Sequence, residues 1–521
     1  LPLVKNGFEV KMKFIELFAG CGGMSLGLEK AGFELVFANE LSPMAAETYV
    51  FNLLKDELST GKANHTLWLK SSFPRQHISE RLNELPSVAK EGSYTDMKLM
   101  NIFPNKMIIG DVLMLEKYLL EDKTRGISIE NVDLLAGGPP CQSFSLAGKR
   151  NLYDQRNELP FVFARIASIV QPKVVLLENV QGITSSFLSK DNVRHHAWVE
   201  ISKEFARRDF IPISMVINTK YFGVPQNRPR YVMLAFRKDI YSKLIKAKIP
   251  FAQLLNDYGR IFYKTKDVDN IHPSQVTIID QVKDIELFDG IALPSTDEKL
   301  VTAEQAIGDL VSSPNDAIIS NYVTAVNRLF TTNKLNHTII TNHEFRKHGM
   351  VVRRRYRLYQ VSSGLTNGLK KELNTIINGE TSISKELTSY LLEQRLYFID
   401  DYHPCLRKPR DVEELLSHLH SLPTRKRTQR AMSGGLPAPA QLTIPDDICH
   451  YCEHEIRTLT VREMARLQSF PDSFVFKSKT TSGGKLRRQE TPQYTQVGNA
   501  VPPLLAYRFG LFIKGVLEAV L

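Results

Sequence analysis

The chain is 521 residues long, carries a formal net charge of +11, and is 43% hydrophobic and 24% charged. This is an ordinary globular composition with length for two or three domains and a large core, not that of a disordered or fibrous protein. The apolar run 501–521 is broken by Arg508 and Lys514, the opening Leu-Pro-Leu-Val-Lys-Asn is no signal peptide, and five cysteines argue for a reducing compartment rather than a disulfide framework. The positive balance admits a polyanion partner, most often nucleic acid, without requiring one. The absent initial methionine suggests a processed or trimmed form.

Over the first 240 residues, strand-like apolar runs alternate with helix-like segments. Strands are predicted at 13–19, 34–39, 107–110, 132–136, 174–178, 212–218 and 230–236, with helical periodicity at 24–31, 43–54 and 158–169. This order predicts an α/β fold, a doubly wound and mainly parallel sheet covered on both faces. The polar, irregular stretch 55–105 reads as an insertion. From 246 to 456 the alternation is lost and a second, mixed domain is expected. Its basic runs, Arg353-Arg354-Arg355-Tyr356-Arg357 and Arg425-Lys426-Arg427-Thr428-Gln429-Arg430, are either solvated faces or a nucleic-acid surface. Helical character returns at 460–468 and 502–520.

The strand ends hold the chemistry. The first ends in Phe18-Ala19-Gly20-Cys21-Gly22-Gly23, the second at Asn39-Glu40, the third at Gly110-Asp111, the fourth before Pro139-Pro140-Cys141, and the fifth at Glu178-Asn179. In an open parallel sheet these carboxyl ends share one edge, where ligands bind. The glycine turn lets backbone approach a ligand at a helix N-terminus, and Glu40 is placed for ribose hydroxyls. Alone, that pattern is shared by dehydrogenases and methyltransferases, or is a tight turn and a surface acid. Asp111 is either an acceptor for an adenine amino group or a helix cap. Cys141, displayed on backbone stiffened by two prolines, reads as a nucleophile, with Glu178 as its companion acid.

These segments resemble the DNA cytosine-5 methyltransferase family of bacterial restriction–modification type. The likeness rests on Phe18-Ala-Gly-Cys-Gly-Gly23, Gly137-Gly-Pro-Pro-Cys-Gln142, Glu178-Asn179-Val180, Gln226-Asn-Arg-Pro-Arg230, Leu459-Thr-Val-Arg-Glu-Met-Ala-Arg-Leu-Gln-Ser-Phe-Pro471 and Gln496-Val-Gly-Asn-Ala-Val-Pro502, in that order. It covers roughly 12–240 and 456–521. It implies a catalytic and cofactor-binding domain over 1–245, a target-recognition domain over 246–456, a hinge and ninth-motif segment over 457–494, and a C-terminal return to the catalytic domain over 495–521.

By the same resemblance, Phe18, Gly20, Gly22, Gly23, Pro139, Asn499 and Val501 line an S-adenosylmethionine pocket, Glu40 holds the ribose and Asp111 the adenine amino group. Cys141 attacks C6 of a flipped cytosine, Glu178 holds a proton on N3, Arg230 contacts O2, and Arg228 supports the same pocket. The residues after Cys141 form a moving loop in which Ser143, Lys149 and Arg150 meet DNA. Arg353, Arg355 and Arg427 are further candidates for duplex contact. Asn157 stands where relatives commonly carry Gly. The expected setting is a monomer in a bacterial cytoplasm, with duplex DNA as partner, no membrane, and a cognate restriction endonuclease as genetic partner. Methylation of tRNA and a catalytically dead DNA-binding module are the alternatives. No metal is expected: Cys449-His450-Tyr451-Cys452 has the spacing of half a zinc site, but His403 and Cys405 make a poor second half. Cys21 is read as a packing residue.

Overall fold

The computed structural model describes residues 11–61, 63–97, 104–124, 129, 131–140, 158–188, 194–247, 250–284, 299–312, 319–331, 340–400, 403–424 and 429–521. Its centre is a nine-stranded sheet. In chain order the strands are β1 (Met12–Leu17), β2 (Phe33–Glu40), β3 (Thr66–Trp68), β4 (Lys106–Ile109), β5 (Leu134–Gly137), β6 (Val174–Val180), β7 (Phe210–Asn218), β8 (Pro229–Arg237) and β9 (Ile279–Asp280). Their order across the sheet is β9-β7-β8-β6-β5-β1-β2-β4-β3. Only β8 runs against its neighbours. The link from β7 to β8 holds one 3-10 turn, Thr219–Phe222, and no crossover helix, so the chain must return antiparallel.

Strand residues alternate between two cores, as a period of two requires. Phe14, Leu134, Leu176, Ile213 and Leu234 face α1 (Gly23–Lys30) and the C-terminal helix Pro503–Glu518, through Leu28, Phe509 and Ile513. Ile15, Leu135, Leu177 and Met233 face α2 (Val112–Thr124), α3 (Leu159–Val170) and α4 (Ala197–Ala206), through Leu115, Phe163 and Phe205. Buried on both faces, this is the doubly wound α/β arrangement. The helix expected at 43–54 is α-helical only over Pro43–Tyr49 and continues as a π-turn, Val50–Leu54. The side chain of Asn52 bonds both the Thr48 carbonyl and residue Val475, which fixes that widening.

Two segments differ from expectation. The insertion at 55–105 is knitted into the sheet, supplying edge strand β3. Residues 250–280 pack on the sheet through Phe251, Leu255, Phe262 and Ile279, so the catalytic layer extends past residue 245. The middle region is mixed, with helices α5 (Met350–Ser362), α6 (Asn367–Ile377), α7 (Lys385–Leu392) and α8 (Val412–His420) and the antiparallel pair Leu396–Asp400 and His403–Arg407, around Leu358, Leu373, Ile376, Leu391, Leu396 and Leu419. Thr366, Ser384 and Asp411 cap the last three helices by accepting backbone N–H bonds, a start signal the sequence carries openly. Among the described residues no single helix is long and apolar enough to cross a membrane.

Candidate active site

The first strand end builds a turn that few side chains could follow. Phe18 (φ 57°), Gly20 (φ 55°) and Gly22 (φ 95°) are all left-handed. For a phenylalanine this is strained, and it persists because Ala19 N–H bonds Asn39 O at 3.0 Å while the Phe18 ring stacks on Phe163. The Gly20 N–H donates to Glu40 Oε2 at 2.8 Å, and Ser42 N–H donates to Glu40 Oε1 at 2.8 Å. Burial raises the pKa of Glu40, and these two bonds oppose that shift. A Cβ built on Gly20 would meet nothing within 4 Å, so space opens beside the turn.

The C-terminal segment closes the same turn. A Cβ on Gly23 would lie 2.2 Å from the Val501 carbonyl oxygen, so glycine alone admits this approach. Gln496 locks the segment, accepting from Thr48 Oγ1 at 2.7 Å and donating to Met44 O at 3.1 Å. Asn499, beside it, is exposed. Below the turn Glu16 is buried, accepts from Ser25 Oγ, and has its pKa pushed up by burial to about 8. Asp111 caps α2, accepting from Leu113 N–H at 3.0 Å, and its other oxygen meets Lys90 Nζ at 2.7 Å.

The remaining candidate residues lie on the neighbouring strands. Pro139 is buried, and its carbonyl accepts from Asn179 Nδ2 at 2.8 Å; Pro140 is exposed and directly precedes Cys141. Cys141 itself, Ser143, Lys149, Arg150, Asn157 and Arg427 lie outside the described residues. Antiparallel register sets Val232 opposite Glu178, so Arg230 lies two residues along on the same face. There Arg230 Nε meets Glu178 Oε1 at 2.8 Å, with both side chains nearly buried. Burial lowers the pKa of Arg230 and the Glu178 carboxylate opposes it. Arg228 is turned elsewhere: fully buried, it donates to the carbonyls of Gly498 (2.9 Å), Ala500 (3.3 Å) and Gln441 (3.2 Å). It binds the C-terminal return and the middle region to the sheet edge.

The profile of the C-5 cytosine-specific DNA methylase family matches residues 12–77 and 97–514, which includes each of these groups except Lys90. The chain belongs to this family. It is a DNA (cytosine-5)-methyltransferase. It is 25% identical over 498 residues to the Type II methyltransferase M.DdeI of Desulfomicrobium norvegicum, covering 95% of this chain and 86% of that one. It is 25% identical over 515 residues to M1.HphI of Haemophilus parahaemolyticus, covering 98% and 87%. Over 255 residues, 49% of this chain and 55% of the other, it is 32% identical to M.NgoPII of Neisseria gonorrhoeae.

The methyltransferase's basic helix α5 makes contacts within the chain. Arg353 stacks over the Tyr397 ring at 4.8 Å, and Arg355 donates to the carbonyls of Leu422 and Pro423. Both guanidinium groups therefore have internal partners, and the run staples the middle region together. The suspected metal half-site is likewise internal: Cys449 Sγ is buried against Tyr356 O, and His450 Nδ1 accepts from Cys452 N–H. Burial holds the pKa of His450 down at about 4. Among the described residues no three His, Cys, Asp or Glu side chains gather as metal ligands. Cys21 is buried against Gln496 O, and burial drives its pKa far up, as for a packing residue.

Sequence reading missed several residues. Asn179, which holds Pro139, was visible as a strand-end amide with no assigned role. Buried Arg457 and Arg466 pair with Glu463 and Asp472 in the ninth motif, whose capping box at Thr460 and Glu463 is a readable signal. The Lys90–Asp111 contact had no signal at all in the chain.

Proposed function

We propose that the protein transfers a methyl group from S-adenosylmethionine to C5 of a cytosine extruded from a short, specific duplex sequence. Support comes first from the Glu178–Arg230 pair, on the sheet edge shared with the glycine turn and one strand from the Pro-Pro turn that leads into Cys141. The turn suits the cofactor: open space at Gly20, a pinned Glu40 for ribose hydroxyls, and Asp111 for the adenine amino group. Phe18, Gly22, Gly23, Pro139, Asn499 and Val501 complete that pocket. When bound, S-adenosylmethionine supplies an electrophilic methyl.

C5 of cytosine is too weak a nucleophile to take that methyl unaided. The Cys141 thiolate adds to C6, and the C5–C6 π electrons become available at C5. Glu178 places a proton at N3 and Arg230 a cation at O2, so charge developing on the ring is met by groups already in place. C5 takes the methyl, its proton leaves to a base, and the C6–S bond breaks to restore the thiolate. Arg228 acts through the backbone it clamps. Reaching a stacked base requires extrusion, at a cost of a few kcal/mol, with Ser143, Lys149 and Arg150 closing behind it. The region 299–456 reads the target, and the enzyme serves a restriction–modification system in a bacterial cytoplasm, paired with an endonuclease of the same specificity.

Cys141→Ser is expected to abolish methyl transfer while leaving S-adenosylhomocysteine binding intact. Full activity in that variant would sink the mechanism. Tritiated methyl transfer to duplex DNA and tRNA, assayed side by side, separates the DNA reading from the RNA one. Bisulfite sequencing of host DNA then gives the target.

A further inference from the structure

The family profile skips residues 78–96, and in this chain that segment reaches the cofactor side of the sheet. Its construction is specific. Trp68, on edge strand β3, sits under the guanidinium of Arg81 at 5.4 Å, and the wholly buried Arg81 pairs with Asp96 at 2.8 Å. Glu84 accepts from Ser71 Oγ and Ser72 N–H, both at 2.7 Å. Ser71 and Tyr94 form a two-bond bridge, and a Cβ on Gly92 would lie 2.2 Å from the Ser71 carbonyl carbon. The short helix Pro86–Ala89 is thereby held against β3, and through Leu69 N–H to Ile109 O against the end of β4. Lys90 is the next residue, and its ammonium reaches Asp111 Oδ2 at 2.7 Å.

Capping a helix needs one carboxylate oxygen, and Asp111 Oδ1 serves Leu113. The second oxygen would otherwise turn to water. A lysine delivered by a braced insertion fixes it instead, in a pair where the acid is 11% exposed and the lysine 46%. Each carboxylate oxygen carries two acceptor sites, so each retains one for an incoming amino group.

We propose that residues 66–97 form a wall of the cofactor site and that Lys90 is its positioning residue, holding the Asp111 carboxylate in the pose that accepts the adenine amino group. This rests on the reading of Asp111 as the adenine acceptor. Lys90 touches the acid, not the methyl-transfer chemistry, so its effect is on binding and on the choice of base.

The test is calorimetric binding of S-adenosylhomocysteine and of its hypoxanthine analogue, S-inosylhomocysteine, whose 6-carbonyl cannot donate to Asp111. Lys90→Ala is expected to weaken S-adenosylhomocysteine about two- to five-fold at low salt, the range of a half-exposed ion pair, and to lose that effect as salt is raised. Binding of the hypoxanthine analogue should not weaken, so preference for adenine falls by the same factor. Lys90→Arg should restore it. Unchanged or tighter S-adenosylhomocysteine binding in Lys90→Ala, or equal loss for both ligands, overturns the proposal. Asp111→Asn separates the two layers: an unchanged adenine preference there defeats the reading of Asp111 itself, whatever Lys90 does.

Discussion

At the carboxyl edge of the sheet, Arg230 meets one carboxylate and one neighbouring carbonyl, on the face that Glu178 shares. In the region from 340 to 476, Arg457, Arg462 and Arg466 are closed inward. Arg462 donates to the carbonyls of Thr341, Pro471 and Phe474; Arg466 pairs with Asp309 and Asp472; Arg457 pairs with Glu455 and Glu463. The contrast teaches that a run of positive charge and a single cation held beside an acid at the sheet edge are different things. Arg230 is defined by strand register beside an acid. Arg353 and Arg355 lie on a helix and meet Tyr397, Leu422 and Pro423 of the same chain.

That contrast can be broken at both ends. The largest effect is expected at the sheet edge. Glu178→Gln or Arg230→Ala should lower the methyl-transfer rate about 10²- to 10⁴-fold, the range of a lost general acid or charge stabiliser, with melting temperature little changed. A small kinetic effect with large unfolding would make the pair structural, like those of the ninth motif. Arg457→Met should do the reverse. It strands Glu463 and Glu455 in the interior and should cost about 3–5 kcal/mol in denaturant unfolding.

A third outcome concerns the buried acid beneath the glycine turn. Glu16 has a folded pKa raised to about 8, so its protonated form favours the folded state. Its contribution is full below the unfolded carboxylate pKa and is lost as pH rises through about 8. Between those limits the native protein should lose about 1.4 kcal/mol per pH unit relative to Glu16→Gln, read from thermal melts of both across pH 5 to 9. Parallel curves would contradict it. The smallest effect is expected in α5. Arg353→Ala with Arg355→Ala should cost about 1–2 kcal/mol of stability and leave the slope of DNA affinity against salt unchanged. A slope reduced by about one for each arginine removed would return them to the DNA surface.

The sheet and the glycine turn were legible because a buried strand writes its length as an apolar run and its end as glycine or an acid. Glu40, Asp111 and Glu178 stand at such ends, whereas Arg230 stands at the start of antiparallel β8 and was legible only through the family resemblance. The helices of the middle region were less legible, although Thr366, Ser384 and Asp411 marked their starts, because the intervening Pro, Asn and basic residues masked the apolar spacing. β3 was lost since three residues inside a polar stretch make no pattern. The inward turn of Arg228 and the reach of Lys90 depend on tertiary contacts, to the C-terminal return and to a braced loop. No local spacing encodes them.

The proposed covalent step at Cys141 is tested most directly with a duplex carrying 5-fluorocytosine at the target position. Fluorine at C5 cannot leave as a proton does, so the C6–S bond cannot be released after methyl transfer. Incubation with S-adenosylmethionine should yield a denaturation-resistant protein–DNA complex whose mass maps to the peptide containing Cys141, and Cys141→Ser should give none. Methyl transfer to ordinary duplex without a trapped complex on the fluorinated one, or a link to a different residue, would contradict the mechanism.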